Sequence, residues 1–329
     1  MEFQRLLPLA NVTAKTNSIT PNRIYGDYLI MLIAPCVLAV WYYGFRSLTV
    51  IAVSIAAAVI TEAVANLILE KRFYLKDIGG IFTGAAIALM MPAGIPLYIP
   101  AMAALFGIAT AKVPFGTALK TPFVPAAAGF ASASVCFKEQ VFSYTVNTTD
   151  KLFGAESLGS LLAKGVSVRI NSSNIFDIIG GNVSGPMGTG CALVMLGSAV
   201  FLLIRRPKAL LATAGFLAAA AFSVVAFPRL YSSYATNLVL ELSSGSLLFG
   251  AVFLLTDYAT LPPKNLNKFI YGAICGIICM VMRFLGSYQE TVCFAILLTN
   301  GFRPLFDSAL NNIPKLRIKR PFKKEADQR

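Results

Sequence analysis

The chain contains no histidine at all. That removes the commonest metal ligand and the side chain best suited to proton transfer near neutral pH. Charge is scarce too: 13% of the 329 residues are charged against 57% hydrophobic, and only 15 are acidic. A mean hydropathy of +0.70 lies well outside the balance of a soluble domain. Six cysteines (Cys36, Cys136, Cys191, Cys275, Cys279 and Cys293) fall in or at the ends of apolar runs. Cys275 and Cys279 share a helix face but have no further ligand types nearby, so they read as small packing residues. Neither a disulfide nor a zinc site is expected.

What the chain has instead is a series of apolar runs, each near the roughly 20 residues that cross a bilayer. Candidate spans cover about 26–45, 47–69, 78–92, 97–112 and 122–137, then about 187–204, 208–227, 244–257, 268–286 and 291–306. The expected fold class is an all-α polytopic membrane protein with about ten transmembrane helices. Residues 1–25 are polar and weakly basic, without the pattern of a cleaved leader, and none is expected. The division that follows is 1–25 as an N-terminal segment, 26–137 and 187–306 as two five-helix units, and 307–329 as a basic tail. The longest polar interruption, 138–186, joins the units.

The two units are expected to be copies of one plan. Gly84-Ala85, Leu89 and Pro96 match Gly250-Ala251, Leu255 and Pro262 at one offset of 166 residues, with Gly79 and Gly245 in register. The basic turns Phe45-Arg46-Ser47 and Arg205-Arg206-Pro207 give a second, looser match. Short interrupted segments at corresponding places are the sequence mark of such a repeat. Five crossings per unit force the two into opposite orientations.

Lys and Arg set the expected direction. With the N-terminus inside, inner segments hold 21 of the 28 basic residues, so both termini are read as cytoplasmic and 138–186 as extracytoplasmic. The net charge of +13 is then a positive-inside signature that contacts membrane lipid, and no nucleic-acid partner is expected.

Few residues are placed to carry chemistry. Glu62 lies inside an apolar run, where a carboxylate is costly unless it faces a polar interior; it either lines an ion pathway or pairs with Lys71 or Arg72. Asp257 closes the short eighth span within the repeated block and is the second ion-pathway candidate. Asp27 and Asp77 sit at span entries and read as helix caps. The Gly-rich stretches Ile78–Gly84 and Gly185–Gly190 either offer backbone N–H groups to an anion or serve close helix contact; neither has a nucleotide-binding spacing.

Several blocks together resemble a known family, the D subunit of the Rnf electron-transport complex, and more distantly the B subunit of the sodium-pumping NADH:quinone reductase. They are Tyr43–Arg46, Val59–Glu62, Phe82–Pro92, Pro125–Gly129, Leu202–Arg206, Gly250–Asp257, Ile270–Ala273 and Tyr288–Asn300. The resemblance runs from about Asn22 to Asp307 and implies ten spans in two inverted halves, with an outer cofactor loop.

It further implies a bacterial or archaeal cell-membrane subunit. Its partners would be the other Rnf-type subunits, in a complex coupling ferredoxin/NAD electron transfer to sodium or proton export. The family cofactor is FMN, esterified through its phosphate to the Thr of an Asp-x-x-Ser-Gly-Ala-Thr motif. The matching stretch here is Asp150-Lys-Leu-Phe153-Gly154-Ala155-Glu156, followed by Ser157. Asp150, Gly154 and Ala155 stand in place, but Phe153 replaces the Ser and Glu156 the Thr. A carboxylate has no hydroxyl to esterify and repels phosphate, so covalent FMN at Glu156 is not expected. The alternative is a channel, transporter or scaffold of the same fold without its own redox group, linked to extracytoplasmic flavin transfer.

Overall fold

A computed structural model describes residues 21–70, 78–116, 121–144, 157–163, 178–181, 184–228, 234–286 and 290–312. Among these residues all regular structure is helical. The first unit comprises α1 (Pro21–Tyr43), α2 (Phe45–Glu70), α3 (Gly79–Leu89), α4 (Tyr98–Ala111) and α5 (Pro125–Cys136). Two short helices, α6 (Lys138–Val141) and α7 (Leu158–Ala163), lie in the connection. The second unit comprises α8 (Ala192–Arg205), α9 (Leu210–Ala226), α10 (Tyr234–Ser243), α11 (Leu247–Phe249, continuing as a π-helical turn over Gly250–Leu254), α12 (Asn265–Phe284) and α13 (Val292–Asn312).

The chain is an all-α polytopic membrane protein. Asn22–Tyr43, Phe45–Leu69, Tyr98–Phe115 and Asn265–Phe284 are long and apolar enough to cross a bilayer unaided. Tyr234–Ser243 and Leu247–Leu254 together form one further span, bent by 70°. Four shorter apolar helices, α3, α5, α8 and α9, complete the set with α13. Apolar side chains point outward in stripes, such as Ile30, Ile33, Val37 and Trp41 on α1. Such faces are at home in lipid, where exposure of hydrocarbon carries no penalty.

Inside, helices meet through small residues. A Cβ on Gly272 of α12 would collide with the backbone oxygen of Ala212 on α9, and one on Gly129 of α5 with that of Ala103 on α4. Only glycine allows these backbone approaches. A hydroxyl from the second helix of each unit also fastens the short third helix: Ser54 Oγ donates to Gly84 O, and Thr213 Oγ1 to Ala251 O, each at 2.7 Å.

The elements recur with the period read from the sequence. Shifting α1 to α5 by 166 residues lays them on α8, α9, α11 with its π turn, α12 and α13 in that order. The two short members, α3 and α11, run in opposite directions. Phe82 in the first turn of α3 packs against Tyr25, whose hydroxyl donates to Asp257 beyond the far end of α11. At the other end Met90 Sδ lies 3.7 Å from Cys293 Sγ, and neighbouring Val292 fills the space beside Gly250. An antiparallel pair of central helices is what two inverted units require.

Two boundaries differ from expectation. α1 already includes Pro21, upstream of the expected start near residue 26. The eighth span is not 244–257 alone: α10 precedes it, and Gly245 at φ 62° makes the bend between them.

Candidate functional site: buried charges at the ends of the two short helices

Glu62 is 4% exposed on α2, and its side chain lies against the first turn of α3. A Cβ at Gly80 would strike its Oε2, so glycine there makes room for the carboxylate. The start of a helix carries partial positive charge and favours an anion in that place. Its ionic partner is Lys112, the C-cap of α4, with Nζ 2.8 Å from Oε1 and both side chains 5% exposed. Lys71 and Arg72, the sequence neighbours weighed as partners, lie outside the described residues.

Asp257 is 1% exposed and accepts a hydrogen bond from Tyr25 at 3.3 Å. Beside it, Tyr28 donates to Thr256 O at 2.5 Å and to Thr256 Oγ1 at 3.1 Å. The Phe82 ring lies 5.7 Å from that of Tyr25 and 5.3 Å from that of Tyr28, while the Arg206 guanidinium lies 5.3 Å from the Tyr28 centroid. Glu62 and Asp257 therefore flank the same first turn of α3, one reaching it through Gly80, the other through Tyr25 and Phe82.

Asp27 does not cap a helix. It lies six residues inside α1 and binds Arg205 at 2.7 Å and Arg206 at 3.5 Å, tying the first helix of one unit to the end of the first helix of the other. Asp77 falls outside the described residues.

A second buried group is not evident from the sequence. Arg283 on α12 is 5% exposed; its Nη1 lies 3.4 Å from Glu241 Oε2 and donates to Ser244 Oγ at 2.7 Å. Its Nη2 donates to Ser244 O at 2.9 Å. Glu290, 2% exposed, accepts from the backbone N–H of Ser246 at 2.8 Å and from the Ser246 hydroxyl. The one signal that could have found it is that Arg283 and Glu241 stand in apolar runs, where a charge marks function by default.

Two amides of the Gly-rich stretch 185–190 are engaged within the protein. Met187 N donates to Met91 O at 3.0 Å and Gly188 N to Leu89 O at 2.9 Å, so these amides satisfy the carbonyls ending α3. Ile78–Gly84 is likewise the entry and first half of α3 itself. Of the flavin-motif positions, Asp150, Gly154, Ala155 and Glu156 lie outside the described residues. Ser157 is described: it directly precedes α7 and is 5% exposed.

Comparison with known proteins agrees with this architecture. The family model described as "NQR2, RnfD, RnfE family" matches residues 12–314. The chain is 27% identical to the D subunit of the Na(+)-translocating ferredoxin:NAD(+) oxidoreductase complex of Acetobacterium woodii, covering 86% of this chain and 87% of that protein. It is 25% identical to the D subunit of the proton-translocating ferredoxin:NAD(+) oxidoreductase complex of Clostridium ljungdahlii, covering 87% and 89%. With the D subunit of the ion-translocating oxidoreductase complex of Salmonella dublin it shares 28% identity over 81% and 86%. The match runs over nearly the whole length, across both units and their connection, and the chain therefore belongs to the NQR2, RnfD, RnfE family.

Proposed function

We propose that this chain is the D-type membrane subunit of an Rnf-type complex, which couples electron transfer between ferredoxin and NAD to export of sodium ions or protons. The observation that carries the reading is the match over residues 12–314, joined to relatives that are themselves D subunits of such complexes. Its partners are then the other Rnf-type subunits. The basic inner segments support a cytoplasmic position for both termini, with the tail against anionic lipid.

Within that complex the chain handles the ion. Glu62 and Asp257 line the cation pathway: both are buried carboxylates, Glu62 against the first turn of α3 and Asp257 joined to the first unit through Tyr25. An acidic group at such depth is costly and is retained where an ion or proton passes. The relatives' names divide between sodium and protons, so the transported ion must be measured. The departures at Phe153 and Glu156 support a subunit without covalent FMN at the usual position, and its part in the complex is ion handling rather than an electron-transfer step.

The test is isolation of the tagged chain from its native membranes. Co-purification of the remaining Rnf-type subunits, and loss of ferredoxin-driven ion uptake when its gene is deleted, are expected. A complex that assembles, transfers electrons and pumps ions without this chain would overturn the proposal.

A further inference from the structure

The internal repeat identifies the side chain that corresponds to Glu62. Gly79 and Gly80 at the start of α3 correspond, at the offset of 166, to Gly245 and Ser246 before α11. Glu62 lies against Gly80; Glu290 lies against Gly245 and takes two hydrogen bonds from Ser246. Each unit thus places one buried carboxylate at the same point of its short helix, although Glu62 stands on α2 and Glu290 just before α13, and the two share no sequence register. A basic side chain also ends the following long helix of each unit. Lys112 closes α4, and Arg283 lies in the last turn of α12, which is the counterpart of α4. Lys112 pairs with Glu62, whereas Arg283 pairs with Glu241 and donates to Ser244, two residues before the Ser246 that binds Glu290.

Because α3 and α11 run antiparallel, the two carboxylates fall at opposite ends of the central helices. An 11-residue helix at 1.5 Å per residue puts them on the order of 16 Å apart. That is about half the hydrocarbon thickness of a bilayer.

We propose that Glu290 is the second-unit counterpart of Glu62: the two carboxylates are successive stations for one monovalent cation, Glu62 closed by the tethered Lys112 ammonium and Glu290 by the N–H and hydroxyl of Ser246. The inference rests on the reading above that Glu62 lies on the ion pathway. Its physical logic is exchange. A bare buried carboxylate holds a cation too tightly to release it, since a charge pair 4 Å apart is worth about 4 kcal/mol even at an effective dielectric constant of 20. Conduction needs binding strong enough for entry and weak enough for exit. A donor already in place, the Lys112 ammonium at Glu62 and Ser246 at Glu290, competes with the arriving ion and lowers its net affinity. It also fills the site once the ion has left, so the buried carboxylate is never bare.

The test uses the whole complex in liposomes, measuring ferredoxin-driven NAD reduction together with uptake of radioactive sodium and internal acidification. Glu62→Gln and Glu290→Gln are each expected to lower ion uptake per electron by about tenfold, the effect of losing about 1.4 kcal/mol of ion stabilisation, while electron transfer continues. Glu290→Asp, which keeps the charge, is expected to restore most of the uptake. If Glu62→Gln abolishes uptake and Glu290→Gln leaves it unchanged, this inference fails and the proposed function stands. If neither changes uptake, both fail. Should Glu290→Gln prevent assembly, Glu290→Asp and Ser246→Ala decide. Altered dependence of uptake on sodium or proton concentration is expected in each; wild-type dependence in both would overturn the inference.

Discussion

The ammonium of Lys112 lies 2.8 Å from a carboxylate oxygen of Glu62, and both side chains are 5% exposed. The pair joins the end of α4 to α2 beside the first turn of α3, across 50 residues of sequence. Taking either charge away leaves the other buried in a poorly solvating interior. Lys112→Ala is therefore expected to destabilise the protein by about 3–5 kcal/mol, and Lys112→Met with Glu62→Gln to recover much of that loss. Thermal unfolding of the detergent-solubilised chain checks this. A double variant no more stable than Lys112→Ala would mean that the pair is not the source of the loss.

Helix contact through glycine gives a sharper contrast. Gly272→Val is expected to destabilise by at least about 1–3 kcal/mol, because its side chain would enter the backbone of Ala212. Gly197→Ala on α8 meets nothing within 4 Å and is expected to be neutral or stabilising by about 0.5–1 kcal/mol. Equal melting temperatures for the two variants would contradict the α9–α12 contact.

These two cases also mark what the sequence could show. The offset linking Gly84 to Gly250 is legible, because a helix that must be short and close-packed demands small residues at fixed places. That Glu62 is buried in a helix is legible from its apolar neighbours. Its partner is not: Lys71 and Arg72 are near in sequence, whereas Lys112 is brought in by tertiary structure alone. α10 is hidden because Glu241 and Ser243-Ser244-Gly245 interrupt its apolar run. Asp27 reads as a cap only when α1 is started near residue 26, whereas the helix already includes Pro21. Glu290 stands in a block that carries the family resemblance, but only the folded arrangement sets it against Gly245.

The outer loop makes a chemical prediction. Mass spectrometry of the chain from its native membranes is expected to find no FMN ester within residues 150–160. Phe153→Ser together with Glu156→Thr restores the hydroxyl and its motif, and is expected to gain covalent flavin when a flavin transferase is co-expressed. An FMN ester on the unaltered chain in this stretch would refute the reading of Glu156.

At the far end of α11, Asp257 is held by the Tyr25 hydroxyl at 3.3 Å. Asp257→Asn is expected to uncouple ion uptake from electron transfer. Tyr25→Phe removes one hydrogen bond of about 1 kcal/mol, so it should act in the same direction but only several-fold. Uptake at the wild-type ratio in Asp257→Asn would remove this residue from the pathway.

The most direct test of the central claim, that this chain carries the coupling ion past buried carboxylates, is the ratio of ions taken up to electrons transferred by the reconstituted complex bearing Glu62→Gln. NAD reduction that continues while sodium and proton uptake both collapse is the predicted result. Uptake at the wild-type ratio would contradict it.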